Sequence, residues 1–140
     1  MTRVDFYVLP ERERGARLGT ACRLVQKAYD SGQQVLLHVA DAQQAQQLDD
    51  LLWSFRQGSF IPHAQAGSAE AAAASVVIDG SDAPPAPYQL LINLADALPP
   101  CFSRFERVIE IVDPGGAVAA ARERWRHYKE RGYPLEKIEL

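Results

Sequence analysis

The feature that most constrains this chain is the junction inside residues 34 to 55. "QVLLHVA" is apolar enough to be covered on both faces, and Asp41 follows it at once, with Gln44 three positions later. A strand buried on both faces belongs to a parallel sheet lying between helices. The D-x-x-Q spacing is a form of capping box, which starts one of those helices directly after the strand. Ala45, Leu48, Leu52 and Phe55 then recur at helical spacing as its buried stripe.

The same alternation extends in both directions. "VDFYVLP" (4 to 10) has the β-branched and aromatic content of a strand. Leu18, Ala21, Cys22, Val25, Ala28 and Tyr29 mark a helix over 16 to 29 that stops at Gly32. Residues 56 to 67 read as a loop, and "SAEAAAAS" is ambiguous between loop and short helix. Three further strands are expected at 75 to 79, 88 to 95 and 106 to 113, with a short helix possible within 96 to 105. A last helix runs from about Ala117 to Arg131 and ends at Gly132 and Pro134. Five strands alternating with helices predict a single three-layer α/β/α domain over 1 to 140 with a mostly parallel or mixed sheet, Rossmann-like in outline.

That outline carries no nucleotide fingerprint. The first strand leads into "PERERGARLGTA", where Gly15 and Gly19 match neither G-x-G-x-x-G nor the P-loop pattern. His38, His63 and His127 have no metal-ligand spacing, and no G-x-S-x-G elbow is present. Cys22 and Cys101 form no C-x-x-C pair and read as buried or idle thiols. Asp41, Asp79, Asp96 and Asp113 stand at the carboxyl ends of strands, where ligands bind in open parallel sheets. A metal- or nucleotide-dependent phosphoryl-transfer site could use them, but caps and turns are the favoured reading, which the D-x-x-Q box at Asp41 and the Asp-Pro turn at 113 fit directly. No signal peptide or membrane span is recognisable, so the expected location is the cytoplasm.

Charge is unevenly spread. Residues 35 to 100 hold Arg56 as their one basic side chain against seven acidic ones, whereas 121 to 131 hold five basic residues against two acidic. One basic segment on an acidic protein suits a small acidic partner better than a nucleic acid backbone. On the last helix, with Arg122 at zero, Arg126 falls at about 40° and Lys129 at about 340°. Val118, Trp125, Ala121 and Tyr128 fill the arc from about 320° down to about 240°. Arg124 and Arg131 lie elsewhere and are expected in solvent. Trp125 therefore borders a cationic stripe: it either stacks an apolar ligand group whose carboxylate the arginines grip, or is core whose edge the cations cover.

"FYVL", "LLHVADAQQAQQLDDLLW", "SFIPHA" and "ARERWRHYKERGY", in that order and spacing, resemble the chi-subunit family of bacterial DNA polymerase III holoenzyme; residues 67 to 88 are the least similar part. The resemblance implies a non-catalytic subunit with no cofactor or metal. Such a subunit joins the psi subunit, and through it the clamp-loader complex, to the acidic carboxyl-terminal tail of single-stranded DNA-binding protein. That tail ends in Pro-Phe with a free carboxylate, preceded by aspartates. By position, the resemblance places tail binding on Val112, Arg122, Trp125 and Arg126. A lysine expected one turn earlier is Val118 here, and Lys129 is the candidate replacement. It places psi binding on Trp53 and Phe60, for which core packing is the competing reading.

Overall fold

The computed structural model describes residues 2–56, 61–81, 88–100 and 102–140; Phe60, Cys101 and the proline-rich turn at 82–87 lie outside these. Among the described residues there are seven strands: β1 (Arg3–Val8), β2 (Val35–His38), β3 (Ala64–Gln65), β4 (Val76–Asp79), β5 (Leu90–Asn93), β6 (Arg107–Val112) and β7 (Leu135–Glu139). The α-helices are α1 (Arg17–Asp30), α2 (Ala42–Ser54) and α3 (Val118–Glu130). The strands form one sheet in the order β3-β4-β2-β5-β6-β1-β7, and every neighbouring pair is parallel.

Two strands depart from the expectation. The loop expected over 56 to 67 contains β3, two residues long, and the segment after Pro134 forms the edge strand β7 against β1. The possible helices at 68 to 75 and 96 to 105 are single 3-10 turns, Ala71–Ala73 and Phe102–Arg104.

The layering follows from chain direction. α1 and α2 carry the chain from β1 to β2 and from β2 to β3, toward one end of the sheet; α3 steps from β6 to β7, toward the other. Right-handed crossovers that step in opposite directions place their helices on opposite faces. Accordingly, Cys22, Val25, Leu48 and Leu52 of α1 and α2 pack with Leu37, Ile78, Ile92 and Ile109 on one face. Tyr128 and Trp125 of α3 pack with Phe6, Leu36, Leu91 and Val108 on the other. Each fully buried leucine or isoleucine in these layers contributes about 1.5–3 kcal/mol.

The capping box forms, with one shift. The Gln44 backbone N–H donates to Asp41 Oδ1 at 2.8 Å, while Gln44 Oε1 accepts from the N–H of Ala40, one residue before the cap, also at 2.8 Å. The Gln44 amide also donates to the Leu94 carbonyl at 2.9 Å, tying the start of α2 to the end of β5.

Candidate peptide-binding surface

α3 is delimited at both ends. Asp113, just after β6, accepts from the backbone N–H of Gly15 at 2.9 Å and of Gly115 at 2.7 Å, which ties the segment before α1 to the turn before α3. At the other end Gly132 adopts φ +79°, open to glycine without strain. Gly132 donates to the Lys129 carbonyl (3.1 Å) and Tyr133 to that of Tyr128 (3.1 Å). This is the Schellman arrangement, and it terminates the helix where the Gly-x-Pro signal predicted.

The rotation of α3 about its axis is set from below. Glu110 of β6 is fully buried, and its Oε1 accepts from Arg124 Nε at 2.9 Å, its Oε2 from the Tyr128 hydroxyl at 2.8 Å. The Asn93 amide reaches both oxygens, and an Arg124 guanidinium N–H donates to the Asp96 carbonyl at 2.6 Å. Arg124 is thus 4% exposed, which corrects its expected place in solvent. At about 200° on the helix wheel it lies next to Tyr128, and a buried carboxylate beneath it satisfies the guanidinium. Burial pushes the Glu110 carboxyl above its ordinary value, against Arg124, Tyr128 and Asn93, which favour the ionised form; burial and then Glu110 push the Tyr128 hydroxyl well up.

Glu110 belongs to a row that no linear spacing reveals. Asp79, His38, Asn93 and Glu110 stand in register on four adjacent strands, and all four are buried. The available signal was that β2, β4 and β5 each end an apolar run on a polar residue, "VLLH", "VVID" and "LLIN".

With Arg124 and Tyr128 turned inward, Trp125 falls at the edge of the core. Its ring meets Phe6 of β1 edge-on at 5.1 Å and 75°, and it remains half-buried. One side of Trp125 is therefore core, and the other stays accessible. Val112, also half-buried, packs against the same apolar cluster from the end of β6. Arg122, Arg126 and Lys129 are exposed around the tryptophan. Arg126 is turned to Glu123, its guanidinium donating to Oε1 at 2.7 Å, with both side chains largely in solvent. An exposed i,i+3 pair of this kind holds its partners by at most about 1 kcal/mol, so Arg126 is recruitable by another carboxylate. A cleft of about 420 Å³ on the flank of α3 away from Trp125 is lined by Asp96, Leu98, Arg124 and His127, and also by the paired Glu123 and Arg126.

A second aromatic stands on the opposite layer. Trp53, near the end of α2, is 51% exposed, so it is not core. It leans on the ring of His63 at 4.7 Å. His63 is itself fixed, its Nδ1 donating to the Ile61 carbonyl at 2.8 Å and its Nε2 2.9 Å from the Asp49 carboxylate.

The strand-end aspartates hold the chain rather than converge. Asp41 caps α2, Asp79 accepts from the Ser81 backbone N–H and hydroxyl, Asp96 pairs with Arg17 at 3.2 Å, and Asp113 closes the turn before α3. Among the described residues no three acidic, histidine or cysteine side chains gather as a metal would require.

Comparison with known proteins covers nearly the whole chain. The family model described as "DNA polymerase III chi subunit, HolC" matches residues 1–136. A DNA polymerase III subunit chi from Pseudomonas aeruginosa is 47% identical over 141 residues, covering 100% of this chain and 98% of the relative. The subunits of the same name from Haemophilus influenzae and Escherichia coli are each 29% identical, over 94% and 81% of this chain and 92% and 79% of their own lengths. The chain therefore belongs to the DNA polymerase III chi subunit family, an accessory and non-catalytic component of that replication assembly.

Proposed function

We propose that this chain, acting as one chi-like unit in the bacterial cytoplasm, is an adaptor with two separate docking surfaces. Val112, Arg122, Trp125, Arg126 and Lys129 receive the acidic carboxyl-terminal tail of single-stranded DNA-binding protein. Trp53 and Phe60 receive psi, which connects the subunit to the clamp loader. The observation that carries the reading is Trp125, half-buried against Phe6 with exposed cations around it. An aromatic shelf rimmed by arginines suits a terminal phenylalanine that carries a carboxylate and follows aspartates. Direct gripping of nucleic acid is less well supported, because Arg124 is consumed by Glu110 and the remaining cations of α3 form one short stripe rather than a broad basic face.

Titration of a fluorescent peptide with aspartates before a terminal Pro-Phe tests the first surface. Trp125→Ala and Arg126→Ala are each expected to lose roughly 1–3 kcal/mol of binding. Affinity is expected to fall as salt is raised, since rim charges are screened. Variants that bind as tightly as wild type overturn the assignment.

A further inference from the structure

We infer that the tail site continues off α3 and across β1 onto the edge strand β7, where Lys137 is a further carboxylate-binding residue and Glu139 its resident competitor; this rests on the tail-binding reading above. Register makes the argument. Lys137 pairs with Phe6, the residue on which Trp125 rests, and Glu139 pairs with Val8. Leu135 packs into the cluster under α3, so Lys137 and Glu139, two and four residues further along the strand, share its face. The cation therefore stands one strand beyond the Trp125–Phe6 contact, on the side of the sheet that α3 covers.

Lys137 Nζ lies 3.3 Å from Glu139 Oε1, and both side chains are mostly exposed. That is the arrangement already seen between Arg126 and Glu123 on α3. In each, an exposed cation rests on a glutamate of the chain itself, which stands in for a ligand carboxylate. A partner with several carboxylates displaces both glutamates, whereas a neutral apolar segment has nothing to offer in exchange. The site thereby selects for acidity as well as for the aromatic end. It also supplies a cation near the pocket where Val118 supplies none.

The test uses the full chain and the same fluorescent acidic peptide. Lys137→Gln is expected to weaken binding roughly 2- to 5-fold at low salt, and Glu139→Gln to tighten it by a similar factor, as for other rim charges. The decisive arm is Glu139→Gln made in the Lys137→Gln background, where the gain is expected to vanish because the freed cation is absent. A gain that persists there reflects net charge alone and overturns the inference. So does a wild-type interaction that Trp125→Ala abolishes but Lys137→Gln leaves unchanged. Failure of the wild-type chain to bind the peptide overturns the tail-site reading itself, and this inference with it.

Discussion

Replacing Arg124 by methionine removes the guanidinium from Glu110 while keeping most of the buried volume. Glu110 then stays fully buried, with only Tyr128 and Asn93 as partners. Breaking one side of a buried ion pair costs about 3–5 kcal/mol. For a chain of this size that is a fall in Tm of about 10–15 °C. The loss is expected to depend on pH, in a direction that can be worked out. Glu110 is already raised above the ordinary 4.5, chiefly by burial, and Arg124 is the foremost influence lowering it. Without Arg124 the folded value rises further. Well below the ordinary value the carboxyl is protonated in both folded and unfolded chains and burial carries no ionisation cost. Above it the unfolded chain ionises while the folded one resists, so stability falls until pH passes the folded value. The variant extends that window upward, and its deficit relative to wild type grows from pH 5 to pH 8. Urea melts at both pH values measure it, and Glu110→Gln in the same chain is expected to recover most of the loss, since no buried charge remains. A deficit under about 1 kcal/mol, or one that is constant with pH, refutes the reasoning.

Trp53→Ala is expected to abolish pull-down of psi while changing stability by less than about 1 kcal/mol, because the side chain is half in solvent; equal psi binding removes Trp53 from that surface. Asp41→Ala is expected to cost about 1 kcal/mol in chemical denaturation through loss of the α2 cap, and a cost near zero would mean Gln44 holds the junction alone. Burial pushes the Cys22 thiol up to about 11, so in a Cys101→Ser background thiol reagents at pH 8 are expected to label the chain at its rate of opening; rapid labelling of the native protein contradicts this.

Much of this fold was legible because its signals are local. Asp41 with Gln44 starts α2, Gly132 with Pro134 ends α3, and five apolar runs became β1, β2, β4, β5 and β6. β3 and β7 escaped for different physical reasons. Ala64 and Gln65 are too few to show a period, and they are a strand only because β4 lies beside them. "LEKIE" carries three charges in five residues, as suits an exposed edge that must not pair with strangers, and so lacks the apolar content by which strands are recognised. Phe60 lies outside the described residues, so only the Trp53 half of the second surface has observed geometry.

By itself, then, the amino-acid order determined the alternating α/β layers, the helix ends, and a tryptophan bordered by cations on α3, since all of these follow from residues within a few positions of one another. Tertiary structure alone decided which way α3 faces. Fourteen residues separate Glu110 from Arg124, and a helix wheel drawn from α3 cannot include the buried carboxylate that draws Arg124 inward and leaves Trp125 at the rim. It also decided that Lys137 stands beside Phe6, because sheet register pairs these two residues although they are 131 apart in the chain.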